Sequence, residues 1–292
     1  MSAIVKLENK DLWLTYSWSN NNHGICGHTY EVIDYWYILK DKMNVGIVLC
    51  EDIDSDTLFK AVRCRYNFNT LEISELENSV VFHNRPKILT GGSKILFTDG
   101  GIVNMSNVTL LYDKIYYMAC GNKQVKDNNK DNVYILQDDR VYERVKKNGI
   151  HYVKKILFDK LKKPRGQLNN TLVYGTKNCR HIEDYSDLHQ YGNLLIVTNK
   201  ENKPKGLVSL QPPVPDIFRL FKTYVYTPVA RKWDCSPRFL AECVYFNKEV
   251  IFHNIDYWEE DHGLRVRWDD IQNNFESLYL KEDDPIIEIL ND

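Results

Sequence analysis

Residues 11–50 read DLWLTYSWSNNNHGICGHTYEVIDYWYILKDKMNVGIVLC, and this stretch sets the class of fold. Residues 11–18 (DLWLTYSW) form an apolar run of strand length, and residues 20–27 (NNNHGICG) are a tight polar loop with two glycines. From residue 29 to 42 apolar and charged residues alternate with helical period, and residues 45–50 (VGIVLC) are again strand-like. A strand, a glycine loop, a helix and a second, parallel strand make the first unit of an α/β domain. Gly24 and Gly27 let the backbone approach a ligand, and His23 and His28 flank them. The full G-x-G-x-x-G fingerprint is missing, so an ordinary glycine-rich βα turn, with hydrogen-bonding loop histidines, is the alternative.

Further strands are expected at residues 94–98, 114–119 and 132–137, with an exposed Asn-, Lys- and Asp-rich loop at 121–131. Residues 162–170 (KKPRGQLNN) have the composition of a linker, and after them the pattern restarts. Strands are expected at 171–174, 194–197, 224–226 and 249–252, with a short helix at 215–222 and an acidic terminal cap at 282–292. The expected domains are therefore 1–168 and 169–292, both α/β.

The 292-residue length suits two domains of ordinary size. No run is long enough to cross a bilayer and residues 1–10 lack the apolar core of a signal peptide, so a cytoplasmic protein is expected. Seven widely spaced cysteines without a C-x-x-C pair read as reduced thiols rather than a zinc site. The formal charge is −2, but of 38 Lys and Arg and 40 Asp and Glu, 14 and 20 fall in residues 171–292. The remaining 24 and 20 leave the first part at +4 against −6 for the second. Much of that excess is Arg140, Arg144, Lys146, Lys147, Lys154, Lys155, Lys160, Lys162, Lys163 and Arg165. Such a run is either a solvated face or the footprint of a phosphate backbone.

Residues 231–242 (RKWDCSPRFLAE) read as a polar loop and a helix opened by Ser236 with Pro237 at its first position. Free N–H groups and the dipole at such a helix start attract phosphate, with Arg231, Lys232 and Arg238 adding charge-assisted bonds and Glu242 one turn in, near a ribose. A capped helix with a solvated Glu is the plain alternative. Together with the following strand, the motif suggests the nucleotide-sugar half of a two-domain glycosyltransferase.

With these pieces in order the chain resembles the GT-B glycosyltransferases, and within them the T-even phage DNA β-glucosyltransferase family that acts on 5-hydroxymethylcytosine. The likeness is carried by residues 172–180 (LVYGTKNCR), 112–115 (YDKI), 133–140 (VYILQDDR) and 238–242 (RFLAE). The chain departs from the family pattern at Thr176, where a second glycine is usual, and in having no arginine at 181–184. The resemblance implies two Rossmann-like domains facing a central cleft, acceptor binding by the first and donor binding by the second. It implies a donor site of Gly175, Lys177, Arg180, Arg231, Lys232, Ser236, Arg238 and Glu242, and a nucleotide sugar, most simply a UDP-sugar, as donor. The acceptor implied is double-stranded DNA carrying hydroxymethylated cytosine, met by a monomeric protein with no membrane partner.

Sugar transfer needs cations for the leaving diphosphate and a base for the acceptor hydroxyl. Fixed arginines and lysines can replace a metal, and no Asp-x-Asp stands at a strand end, since Asp54-Ser55-Asp56 precedes a helix, so no essential cofactor or metal is expected. Asp138 is favoured as the base because it follows a strand at its C-terminal end and matches the family's catalytic aspartate. Arg140 follows it on the acceptor side, as do His23, Gly24, Gly27 and His28 in their loop. Asp99 and Asp139 are rivals, and a strand-end Asp that only caps the next element is the plain alternative. A polysaccharide or glycolipid acceptor, and a nucleotide-binding module without catalysis, are the competing readings. A membrane-surface acceptor would favour an exposed amphipathic helix, approximated only by residues 152–163.

Overall fold

The computed structural model describes residues 4–16, 25–50, 53–83, 88–98, 109–119, 132–136, 149–174, 185–198, 207–227, 238–253, 268–269 and 271–292. The chain divides into two compact units, each a mixed α/β structure built on parallel sheet. One comprises Met1–Ser55, Phe68–Leu157 and Glu276–Asp292, and the other Asp56–Asn67 and Phe158–Phe275.

In the first unit the strands are β1 (Ile4–Lys6), β2 (Leu12–Thr15), β3 (Val45–Cys50), β4 (Val80–His83), β5 (Ile88–Thr90), β6 (Lys94–Phe97), β7 (Thr109–Leu111), β8 (Lys114–Ala119), β9 (Asn132–Leu136) and β10 (Gly149–His151). Seven of them form one sheet in the order β10-β9-β8-β6-β2-β3-β4, every pair parallel. Parallel strands covered on both faces read as continuous apolar runs. Accordingly all four residues of β2 are buried, as are three of the four in β6. One face carries a ladder of rings in register, Phe97 on Tyr117 at 5.3 Å and Tyr117 on Tyr134 at 5.9 Å. A small parallel sheet, β1-β5-β7, covers that face through Val5, Leu89 and Leu110.

Helix α1 (Gly27–Leu39) follows β2, and Gly27, expected in the loop, is its first residue. Its start is fixed by a local cap in which the Cys26 N–H donates to Thr29 Oγ1 at 3.1 Å. Val32, Ile33, Tyr35, Trp36, Ile38 and Leu39 are all buried, so this is a core helix rather than a surface one. Helix α2 (Ser55–Arg65) starts where the Asp-Ser-Asp run predicts, and beyond Ser55 it belongs to the second unit. Helix α3 (Thr70–Ser79) is opened by a reciprocal capping box: Glu72 N–H donates to Asn69 Oδ1 at 2.9 Å, and Asn69 N–H to Glu72 Oε2 at 2.7 Å.

In the second unit β11 (Thr171–Tyr174), β12 (Leu194–Val197), β13 (Val208–Leu210), β14 (Thr223–Tyr226) and β15 (Glu249–Phe252) form a parallel sheet in the order β13-β12-β11-β14-β15. The short helix expected at 215–222 is a single 3-10 turn, Ile217–Arg219, and helix α4 (Arg238–Tyr245) lies between β14 and β15. Its Phe239 stacks on Phe218 at 5.2 Å and meets Tyr224 edge-on at 5.0 Å. Helix α5 (Ile286–Asn291) ends the chain within the first unit.

Two expectations need correction. Residues 152–163 are not an amphipathic helix; they run irregularly with one 3-10 turn at Phe158–Lys160, because their polar groups are taken up by other segments. Lys154 and Lys155, placed by composition in a phosphate-tracking run, instead point into the fold. Lys154 is buried against Glu31 and Lys155 pairs with buried Asp284 at 2.5 Å. Both leave the stretch of charge that a solvated face or a nucleic acid could use.

Candidate functional site

In an open parallel sheet ligands bind outside the carboxyl ends of the strands, in the crevice between two adjacent strands whose connections leave in opposite directions. The first unit has its switch point between β2 and β6, from which the order runs outward to β3 and β4 on one side and to β8, β9 and β10 on the other. Thr15 ends β2 and Thr98 follows β6; the Thr98 N–H donates to Thr15 O at 2.9 Å, so these two strand ends meet. The second unit has the equivalent point between β11 and β14.

At the first switch point a polar cluster is built from α1 and from the segment after β10. His28 Nδ1 lies 2.8 Å from Glu31 Oε2, one helical turn on. Lys154 Nζ donates to the same oxygen at 3.0 Å and also to the carbonyl of Thr98. Glu31 and Lys154 have side chains only 6% and 3% exposed, whereas that of His28 is 32% exposed. Burial would push the Glu31 carboxyl up, but Lys154 and His28 outweigh it and hold the group well below the usual carboxylate range. Tyr16 stacks on His28 with centroids 6.5 Å apart, and Thr29 Oγ1 donates to Tyr16 Oη at 3.3 Å. Thr98 Oγ1 is buried and has no hydrogen-bond partner among the described residues.

Behind this cluster lies a second one. Tyr152 Oη donates to Asp284 Oδ1 at 2.9 Å, and Asp284 also accepts from the Ile286 N–H at 2.9 Å. Burial, helped by Tyr35 and Asp284, raises the Tyr152 phenol well above its ordinary value, and burial and Glu31 raise that of Tyr35. These hydroxyls stay neutral and serve as hydrogen-bonding struts.

In the second unit Glu242 is fully buried and holds both arginines near it. Arg238 Nε donates to Glu242 Oε1 at 2.9 Å, and Arg65 reaches the same carboxylate through Nε at 3.2 Å and through Nη2 to Oε2. Arg238 also donates to Tyr66 Oη at 3.4 Å, and the Arg65 guanidinium lies 4.8 Å from the Phe218 ring centre. The arrangement ties α2 to α4. In this state Glu242 is engaged by guanidinium rather than standing as a solvated carboxylate one turn into the helix.

His253, just after β15, has both ring nitrogens engaged, Nε2 with Asp187 at 2.8 Å and Nδ1 with Tyr191 Oη at 2.9 Å. It serves as a structural tie between β15 and the 3-10 segment Ser186–Tyr191. Among the described residues no group of three His, Cys, Asp or Glu could hold a metal ion, and no helix is long and apolar enough to cross a membrane. Cys26, Cys64 and Cys243 are free thiols.

Of the residues singled out in the sequence, Gly27, His28, Arg238 and Glu242 fall within the described structure. Asp138, Arg140, Asp99, Asp139, His23, Gly24, Gly175, Lys177, Arg180, Arg231, Lys232 and Ser236 lie outside the described residues. The strands that precede them in sequence are in view. In sequence, segment 175–180 follows β11 and segment 231–236 follows β14, and the strands β11 and β14 are neighbours in the sheet. Asp99 follows β6, which pairs with β2, whereas Asp138 follows β9, separated from β2 by β6 and β8. At about 4.8 Å per strand, β9 lies roughly 14 Å from β2. The site residues not foreseen are Glu31, Lys154, Thr98 and Arg65. Glu31 was within reach, since it sits three residues after His28 on one helix; Lys154 was not, because 123 residues separate it from Glu31. No family model, curated protein or solved structure matches the chain.

Proposed function

We propose that the chain is a GT-B-type glycosyltransferase that moves a sugar from a nucleotide sugar, most simply a UDP-sugar, to an acceptor hydroxyl. The observation that carries this reading is the pair of parallel α/β units, each with its own switch point. In the second, β11 and β14 are adjacent, and the glycine- and arginine-bearing segments 175–180 and 231–236 follow them. This supports a donor site made by Gly175, Lys177, Arg180, Arg231, Lys232 and Ser236 with the start of α4, where cations and backbone N–H groups would stabilise the leaving diphosphate without a metal. The sequence reading gives the role of acceptor base to an acid that follows a strand of the first sheet, Asp138 after β9 with Asp99 after β6 as its rival, and β6 is the strand next to the switch point.

The acceptor proposed is the hydroxymethyl group of a modified cytosine in phage DNA. The burial of Lys154 and the pairing of half-buried Lys155 with Asp284 favour a second reading of the same chemistry, with a polysaccharide acceptor, because they remove two cations from the DNA-facing set. One assay separates them. The protein is incubated with several nucleotide sugars and with duplexes carrying plain or hydroxymethylated cytosine, and nucleosides are analysed by mass spectrometry. A hexose mass on hydroxymethylcytosine is expected; transfer to a neutral saccharide alone decides for the second reading, and nucleotide binding with no transfer decides for a binding module.

A further inference from the structure

The polar cluster at the first switch point pairs a partly exposed histidine with a buried carboxylate. His28 stands in the first turn of α1, and its Nδ1 is 2.8 Å from a buried carboxylate. A carboxylate on Nδ1 fixes the neutral ring with its hydrogen on that nitrogen and its lone pair on Nε2, and it stabilises the imidazolium once a proton arrives. A structural ion pair would need only Glu31 and Lys154, which are both buried; His28 is the member of the cluster that reaches solvent. The second observation is independent. Thr98 Oγ1, on the residue whose carbonyl Lys154 holds, is buried with no partner among the described residues, and a native protein seldom leaves such a hydroxyl unsatisfied without a ligand or water to meet it.

We propose that His28, oriented by Glu31, is the proton acceptor for the incoming hydroxyl, and that Thr98 Oγ1 hydrogen-bonds the same ligand. This rests on the glycosyltransferase reading and replaces Asp138 and Asp99 in the role of base. The acceptor O–H gives its proton to His28 Nε2 while its oxygen bonds to the anomeric carbon of the donor sugar. The bond from that carbon to the diphosphate breaks, and its electron pair leaves with the nucleoside diphosphate. The imidazolium then returns its proton to solvent. Glu31 acts through His28 and is a positioning residue.

The test compares the full-length protein with His28→Ala, His28→Gln, Thr98→Val, Asp99→Asn and Asp138→Asn. Both His28 variants should bind donor nucleotide as the wild type does by calorimetry, yet transfer sugar at least about a hundredfold more slowly. Free imidazole should restore part of the activity of His28→Ala, which a structural role would not allow. Thr98→Val, of nearly the same shape, should raise the acceptor KM with kcat little changed; an unchanged KM removes Thr98 from the site. An active wild type with His28→Gln at the wild-type rate, and Asp99→Asn or Asp138→Asn dead, overturns the proposal and leaves the glycosyltransferase reading standing. A wild type inactive with every donor and acceptor sinks both.

Discussion

Glu31 is a carboxylate inside a core helix, and its neighbours explain how it stays charged there. Lys154 supplies a buried countercharge and His28 a second partner, so the cost of desolvation is offset only while both remain. Removing one partner of a buried pair leaves an uncompensated charge. Lys154→Met should therefore cost about 3–5 kcal/mol in urea denaturation, and adding Glu31→Gln should recover part of the loss. A Lys163→Ser control, at an exposed site, should stay within about 0.5 kcal/mol of wild type. Acid stability follows from the same group. Because the folded pKa of Glu31 lies below its ordinary value of 4.5, the folded form holds the proton less tightly than the unfolded chain. Its contribution is complete above the unfolded carboxylate range and is lost as pH falls toward the folded value. Stability of the wild type should thus drop below about pH 4.5 more steeply than that of Glu31→Gln, measured by denaturation at a series of pH values. A shallower slope for the wild type would contradict this ionisation.

Packing between elements makes its own demands. Trp13 on β2 pairs with Gly46 on β3, and a Cβ built on Gly46 would lie 2.5 Å from the Trp13 ring. The glycine is there to let the indole lie across the neighbouring strand. Gly46→Ala should cost about 1–3 kcal/mol through overpacking, read as a lower Tm, since Trp13 is itself fully buried and has nowhere to move. At the start of α3, Asn69→Ala removes one arm of the capping box and should cost about 1 kcal/mol. At this scale the sequence was legible wherever an apolar run stood alone. Residues 45–50, 114–119, 171–174, 194–197 and 249–252 are strands with the expected limits, because buried parallel strands need no alternation to be seen. β1, β5, β7, β10 and β13 have three residues each, too few for any periodicity, and exist through their pairing partners.

The whole molecule is held by segments that return over long stretches of chain. Asp284 accepts from Tyr152 and Lys155, the Ile156 N–H donates to Leu278 O at 2.8 Å, and Leu278, Ile286 and Leu290 are fully buried. A chain ending after Phe275 should therefore lose amide protection in residues 149–157 while β11 to β15 keep theirs, as read by hydrogen exchange. The acceptor reading is also tested at this scale. With Lys154 and Lys155 engaged in the fold, any DNA contact in this region falls to exposed groups such as Lys163 and Arg165. Replacing those two by Ser should flatten the salt dependence of DNA binding, by about 0.9 per lost phosphate contact, while Lys154 substitutions act on stability instead. An unaltered slope would take this segment out of the DNA interface.

The order of apolar runs was enough to announce parallel α/β structure, because burial on both faces writes itself into consecutive residues. It also put His28 beside a βα turn and Arg238 and Glu242 on one helix. Strand order could not be read that way, since hydrogen bonding between β2 and β6 joins segments about eighty residues apart and leaves no mark on either. Nor could the partners of charged groups. Lys154 and Lys162 look alike in a basic run, yet one is sealed against Glu31 and the other stays on the surface. Whether a charge faces water or another charge depends on what the fold brings to it, and Glu31, Thr98 and Lys154 meet only when three distant segments close on one strand end.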